Sequence, residues 1–333
     1  MKWDKLTPKK HALDALRPLD PALVRNLDQW LRVELTYSSN ALEGNTLTRQ
    51  ETALVIDEGL SVGGRTLREH LEAVDHAKAL DWVLDWVAQR RPVDQAALLA
   101  LHACVLHGSH PEQAGQIRQV PVRISGSRSV LPAPVKVPKL MEELGAFLKA
   151  GPRDLHPAAF AAEAHLRLVS IHPFVDGNGR TARLLLNLLL LRAGYPIAVI
   201  RLRDRLRYLS ALESVQTGGP RDDYDRLIFE ACDRGLDLWL DAAAGRPPKA
   251  VAASARNKMR PNGLWRIGQL AEACSESVST LRHWTKMGLL PAAGSTEKGY
   301  TLYEPSSVER VRQIRRLQSQ RLSLEEVARR LKV

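Results

Sequence analysis

The sequence predicts a mainly α-helical protein with one small β-hairpin and a separate, basic C-terminal domain. Three observations predict it. Apolar residues recur at helical spacing behind capping residues along most of the chain. Val120, Val122 and Ile124 instead alternate ahead of Gly126-Ser127, with Val130-Leu131 beyond, as a short hairpin does. Residues 245–263 are rich in Pro, Ala, Lys and Arg and read as a linker to a second run of helical signals.

At 333 residues and 44% apolar, the chain is long enough for two or three domains with real cores. Residues 1–10 are polar and lysine-rich, unlike a secretory leader. The longest apolar run, Leu184 to Leu191, is interrupted by Asn187 and is too short to span a bilayer. Cys104, Cys232 and Cys274 lack metal-ligand spacing and suit a reducing compartment. A cytoplasmic protein with no membrane partner is expected. The net charge of +11 is uneven. Residues 256–333 hold 15 Lys and Arg against 7 Asp and Glu, an excess suited to an acidic polymer.

Asp20-Pro21 supplies a cap and a first-turn proline, and Leu23, Leu27, Trp30 and Leu31 continue that helix toward Ser39. Thr48 and Glu51 form a capping box for the next helix. Leu67, Leu71, Val74 and Leu84 mark a longer helix ending near Ala88, and Asp94 caps another through His107. After the hairpin, whose Pro121 confines its strand to an edge, helices resume at Pro157 and run to about Ala242, with a return loop at Gly218-Gly219-Pro220.

The chemistry concentrates in His172-Pro173-Phe174-Val175-Asp176-Gly177-Asn178-Gly179-Arg180-Thr181-Ala182-Arg183. Apolar helical spacing follows it, so Gly177, Asn178 and Gly179 lie at a helix N-terminus, where unpaired N–H groups and the helix dipole attract anions. Two glycines let that backbone curl into an anion nest. Arg180 and Arg183 share one face and suit neighbouring phosphate oxygens. Asp176 suits a magnesium ion bridging phosphates, and His172 suits a general base.

This run resembles the signature of the Fic family, His-x-Phe-x-Asp/Glu-Gly-Asn-Gly-Arg-x-x-Arg, at every specified position. The resemblance implies a Fic helical bundle in which a protein hydroxyl (Ser, Thr or Tyr) attacks the α-phosphate of ATP. His172 is then the base, Asp176 the Mg2+ ligand, and Gly177 to Gly179 the phosphate cradle. Asn178 shapes that cradle, Arg180 neutralises the leaving phosphates, and Phe174 anchors the loop. The hairpin resembles the family's flap, where a target segment adds as an extended strand. Upstream, Ser39 and Glu43 share a helix face and Gly44 marks its end. This segment resembles the family's inhibitory motif, Ser/Thr-x-x-x-Glu-Gly/Asn, in which the glutamate engages the second arginine, here Arg183.

Beyond the linker, Leu264 to Ala271 opens a helix, Ser277 to Trp284 opens another, and Gly288-Leu289-Leu290-Pro291 ends it. This resembles the helix-turn-helix of the MerR family, with Gly299 to Tyr303 as the wing, Ser306 to Leu317 a third helix and Leu324 to Leu331 a fourth. The resemblance points to Arg282 and Lys286 at the major groove and Arg266 and Lys298 at the DNA backbone, with Trp284 in the core. Thr301 stands where the family usually has arginine.

The expected organisation is a helical region carrying the inhibitory motif at 1–92, a catalytic core at 93–244, the linker, and a winged helix-turn-helix domain at 264–333. The expected function is autoinhibited transfer of AMP from ATP, with Mg2+, to a target protein. DNA and a homodimer are the other partners compatible with this reading. Removal of AMP or transfer of another nucleotide at the same site is one alternative. A DNA-binding regulator with a nucleotide-sensing core is another.

Overall fold

The computed structural model describes residues 3–124, 126–246, 263–274, 276, 278–296, 300–319 and 324–331. The chain divides into two units, Met1–Pro248 and Lys249–Val333. The first, among its described residues, is built from α1 (Thr7–Ala15), α2 (Pro21–Leu42), α3 (Arg49–Asp57), α4 (Leu67–Ala88), α5 (Gln95–Val105), α6 (Val137–Ala150), α7 (Pro157–Ile171), α8 (Asn178–Arg192), α9 (Arg205–Gln216) and α10 (Asp222–Ala243).

Local chemistry starts these helices. The Asp20 carboxylate accepts from the N–H groups of Ala22 and Leu23 at 2.8 and 2.9 Å, satisfying donors that α2 cannot pair internally. Thr48 with Glu51 and Thr66 with Glu69 close reciprocal capping boxes on α3 and α4. Asp94 caps α5 through the Ala97 N–H at 3.0 Å.

From Leu184 to Leu191 helix α8 is apolar on almost every side, so burial around its circumference is the arrangement that keeps this stretch from water. Leu184, Leu185, Leu186, Leu188 and Leu190 are buried, and α2, α4, α5 and α7 pack around them. Asn187 is tolerated there because its amide donates to Arg183 O and Ala198 O and accepts the Ala198 N–H at 2.7 Å. The central helix thereby carries its first turn, with the glycine-flanked loop, to a fixed place.

Two parts of this unit differ from the sequence expectation. Helix α6 occupies a stretch for which no element was expected, although Val137, Met141, Leu144 and Leu148 bury one face at helical spacing. The hairpin expected across Val120 to Leu131 has no strand ladder among its described residues. It is extended chain with a turn in which the Ser127 N–H donates to Ile124 O at 3.1 Å. Pro121, Pro132 and Pro134 offer no N–H to a ladder. The guanidinium of Arg118 instead bridges the two arms, donating to Val120 O at 3.0 Å and Pro132 O at 2.6 Å.

The second unit comprises β1 (Trp265–Arg266), α11 (Ile267–Cys274), α12 (Val278–Lys286), β2 (Gly294–Ser295), β3 (Thr301–Tyr303), α13 (Ser307–Ser319) and α14 (Leu324–Arg330). Its antiparallel sheet has the order β1-β3-β2, with Trp265 opposite Tyr303 and Gly294 opposite Leu302. Leu270, Leu281, Trp284, Leu290, Tyr303 and Ile314 form its core. Trp265 and Arg266, expected within a helix, instead pair with the wing, and the helix begins at Ile267. Most of the expected linker, residues 247–262, lies outside the described residues, as do Ser277 and residues 297–299. Among the described residues, no helix is long and apolar enough to cross a membrane.

The first unit buries His76, His102 and His165. Burial is the main cause that pushes their pKa values down, to about 3, about 4 and about 3. Unfolding releases these rings to titrate near the ordinary value of about 6.5, so below that pH the unfolded chain binds more protons than the native one. Stability is expected to fall from about pH 6.5 to about pH 5, with a slope of up to about 4 kcal/mol per pH unit when all three unfolded rings are charged. Urea midpoints measured across that window check it, and a flat profile contradicts it.

Candidate active site

Proline at 173 disfavours helical backbone in the residue before it, so α7 stops at Ile171. His172 adopts a left-handed conformation, φ 50° and ψ 59°, with its N–H still donating to Leu168 O at 2.9 Å. Its Nδ1 lies 3.3 Å from Val169 O, which calls for the tautomer with the proton on Nδ1 and leaves Nε2 as the basic nitrogen. Burial is the largest cause acting on this ring and holds its pKa below the ordinary histidine value. Arg118 adds to the lowering, while the Val169 carbonyl, Glu43 and Asp176 oppose it.

The loop after His172 is held by side chains from both sides. Phe174 is fully buried, and the His102 ring of α5 stacks on it at 3.5 Å between centroids. His102 Nε2 donates to Asp176 O and its Nδ1 accepts from the Gly115 N–H, each at 3.0 Å. Asn178 accepts the Phe174 N–H at 3.0 Å and donates to Phe174 O at 2.9 Å, closing the loop as a peptide pair would. Gly177, with φ 75°, turns the chain into α8.

Asp176 sits at the mouth of this turn. Its carboxylate accepts from Gly177 N–H at 2.6 Å, Arg68 at 3.1 Å and Arg180 at 3.2 Å. Burial opposes its ionisation, but Arg180, the Gly177 N–H, Arg68 and His110 outweigh that and keep its pKa below the ordinary carboxylate value. Arg180 is 2% exposed, and its Nε and Nη1 are buried with no hydrogen-bond partner. Nη1 is paired only loosely, with Glu72 Oε1 at 3.9 Å, so two guanidinium donors on the first turn of α8 have no hydrogen bond and are suited to anionic oxygens.

Arg183 is held from α2 instead. Its Nε donates to Ser39 Oγ at 3.0 Å and its Nη2 to Ser39 O at 3.0 Å and Glu43 Oε1 at 2.7 Å. Glu43 caps the C-terminal end of α2, and Gly44 follows with φ 103°. The Glu43 carboxylate overhangs the glycine turn so closely that a Cβ on Gly179 would meet its Oε1 at 2.1 Å. The structure thus brings together His172, Asp176, Gly177, Asn178, Gly179, Arg180, Arg183, Ser39 and Glu43, with Gly44 following Glu43 in the chain.

In the second unit, Arg282 and Lys286 are exposed four residues apart on α12. Arg266 is exposed on β1, its guanidinium 5.2 Å from the Tyr300 ring centroid. Lys298 lies outside the described residues. Sequence reasoning missed His102, Arg118 and Arg68, which reach the loop from distant segments. None sits in a motif of its own, so only tertiary contacts reveal them.

Among the described residues, no group of three or more His, Cys, Asp or Glu is placed to hold a metal ion. Asp176 alone therefore fits an octahedral cation only if phosphate oxygens and water complete the shell, the usual manner of Mg2+.

Residues 92–190 match the model of the Fic/DOC family, and residues 265–333 match that of the MerR HTH family regulatory proteins. The chain is 38% identical over 206 residues to the protein adenylyltransferase Fic of Nematostella vectensis, covering 61% of this chain and 48% of that protein. It is 35% identical over 243 residues to that of Drosophila grimshawi, covering 73% and 50%. The chain thus spans about half the length of these curated relatives. Among solved structures, a Fic domain containing signaling protein from Bacteroides thetaiotaomicron superimposes with a TM-score of 0.66 at 29% identity, over 74% of this chain and 98% of that one. Fic-1 from C. elegans does so at 0.64 and 27%, over 72% and 70%.

The Asn178 side chain supplies both partners of the buried Phe174 peptide groups. Asn178→Ala is expected to cost at least about 1–3 kcal/mol, the usual penalty for a stranded buried group. Equilibrium urea unfolding measures it, and an unchanged midpoint contradicts the role assigned to this bridge.

Proposed function

The chain carries a Fic/DOC domain ahead of a MerR-type helix-turn-helix domain, and from that premise we propose that it transfers AMP from ATP to a Ser, Thr or Tyr hydroxyl of a target protein, under restraint by its own Glu43. One observation carries the reading. A histidine with an available basic nitrogen, a glycine-flanked helix N-terminus and an arginine with two donors free of hydrogen bonds meet at one turn.

In the proposed reaction the N–H groups of the first turn of α8 and the Arg180 guanidinium receive the triphosphate. The acceptor hydroxyl oxygen attacks the α-phosphorus while His172 Nε2 takes its proton. An oxygen–phosphorus bond forms, the bond from the α-phosphorus to the bridging oxygen breaks, and pyrophosphate leaves with that electron pair. Asp176 would hold Mg2+, which when bound supplies charge neutralisation to the phosphates. Most of the rate enhancement then comes from positioning and fixed charge.

Glu43 restrains this reaction by occupying Arg183. Its carboxylate, 2.7 Å from Nη2, stands where a terminal phosphate would meet the same donors. The exposed Arg282, Lys286 and Arg266 support contact with DNA phosphates by the second unit, which would bring the transferase to a nucleic acid.

Mass spectrometry after incubation with ATP and Mg2+ in a cell lysate tests the reading, an added AMP on protein hydroxyls being the expected product. Glu43→Gly is expected to raise labelling by about ten- to hundredfold, the equivalent of one charged hydrogen bond of about 1.5–3 kcal/mol. His172→Ala in that background is expected to lose at least about a hundredfold, the low end of general-base catalysis. Near-normal labelling by His172→Ala would falsify the base assignment. The acid limb of the rate profile is expected below the ordinary histidine pKa, because the buried ring is protonated only at lower pH.

DNA binding by the second unit is expected to weaken steeply as salt rises, as counterion release requires. Paired Arg282→Ala and Lys286→Ala substitutions should weaken it further in electrophoretic mobility shifts on duplex DNA. Salt-independent binding, or none, counts against a nucleic-acid role.

A further inference from the structure

Arg118 is 2% exposed, yet the hydrogen bonds of its side chain all go to backbone carbonyls. Its Nε donates to His172 O at 2.7 Å, Nη1 to Val120 O at 3.0 Å and Nη2 to Pro132 O at 2.6 Å. Its own N–H donates to Pro173 O at 2.9 Å. Burial lowers its pKa, so the surroundings do not favour a cation here. A buried guanidinium held only by neutral acceptors is a poor device for stability, and its geometry asks for another explanation.

We propose that Arg118 is a positioning residue of the transfer reaction, fixing the His172 backbone and both arms of the 119–133 loop in one register. The inference rests on the AMP-transfer reading above and adds the element that aims the base at the acceptor.

The first reason is conformational. His172 holds a left-handed backbone that a side chain with a Cβ rarely adopts, and the direction of its Cβ depends on that backbone. Two hydrogen bonds from Arg118, one from its side chain to His172 O and one from its backbone N–H to Pro173 O, hold the carbonyls on both sides of Pro173. The second reason is connectivity. The loop arms at Val120 and Pro132 have no ladder between them, so the planar fork is what ties each arm to the His172 carbonyl. An acceptor approaching along that loop meets the base at a set distance.

The third reason is electrostatic. The charges acting on the His172 ring are Arg118, which disfavours its protonation, and Glu43 and Asp176, which favour it, alongside the Val169 carbonyl. Arg118 therefore helps keep Nε2 unprotonated and able to accept the hydroxyl proton. Lysine cannot substitute, because a single ammonium on a flexible stem does not span three carbonyls in a plane.

The test uses the full chain in the Glu43→Gly background, with Arg118→Met and Arg118→Lys compared to that parent. Labelled ATP supplies the rate of protein labelling at saturating nucleotide across pH, and a fluorescent ATP analogue supplies nucleotide affinity. Both variants are expected to lose about a hundredfold in labelling rate, as a displaced reacting group does, while nucleotide affinity stays within about twofold. Arg118→Met should also move the acid limb to higher pH, because the cation that opposed protonation is gone. Arg118→Lys retains a charge there and should move it less.

Full labelling by Arg118→Lys, or loss of nucleotide affinity in step with rate and no shift of the acid limb in either variant, overturns the proposal and leaves a merely structural arginine. Failure of Arg118→Met to fold leaves the decision with Arg118→Lys. Failure of the parent to label any protein sinks the transferase reading instead, so the two failures are distinguishable.

Discussion

A guanidinium with 3% exposure has to be given acceptors where it lies, and Arg183 finds them in the last turn of another helix. Ser39 supplies a hydroxyl and a carbonyl, and Glu43 supplies the charge. Burial alone would lower the arginine pKa, yet Glu43 and Tyr208 outweigh it and hold the cation firmly ionised. This contact joins α2 to the middle of the molecule. Asn45 extends the same join, donating to Glu69 O and to the Glu72 carboxylate on α4. Glu72 in turn pairs with Arg68, which reaches Asp176. The end of α2 and the turn before α8 are therefore parts of one ionic framework.

Much of the fold was legible in the sequence because it is written in local patterns. The caps at Asp20, Thr48 and Asp94 need only their next few residues, and the structure contains each of those bonds. The run from His172 to Arg183 folds as one loop and one helix turn, so its residue types and spacing already fix which groups can meet. The pairing of Glu43 with Arg183 spans 140 positions, and no local pattern implies it; it was expected only from the resemblance of both segments to Fic motifs. Where expectation departed from structure, the deciding forces were long-range. The alternation at Val120, Val122 and Ile124 suggested a ladder, but proline and the Arg118 fork replaced it. His102 carries no pattern at all, and its stack on Phe174 exists only because α5 packs beside α8.

The two units place opposite demands on their arginines. In the first, Arg118, Arg180 and Arg183 are all buried, Arg118 and Arg183 held by carbonyls, a hydroxyl or a carboxylate and Arg180 by Asp176 with two donors left over. In the second, Arg266 and Arg282 stand at the surface over a small apolar core, where their field extends into solvent. The same residue type thus serves fixed short-range positioning in one place and salt-sensitive attraction in the other.

The way Glu43 is mounted has a consequence for how restraint is lifted. Ser39 and Asn40 are buried, whereas the Glu43 side chain is 45% exposed at the very end of its helix. On the proposed reading, letting go of the guanidinium would ask for a rotamer change at one residue, without undocking α2 from its neighbours. On the proposed reading such a latch is graded rather than all-or-none. Its occupancy follows the ratio of competing anion to local carboxylate, so output would track nucleotide supply continuously instead of waiting for a partner to remodel the fold.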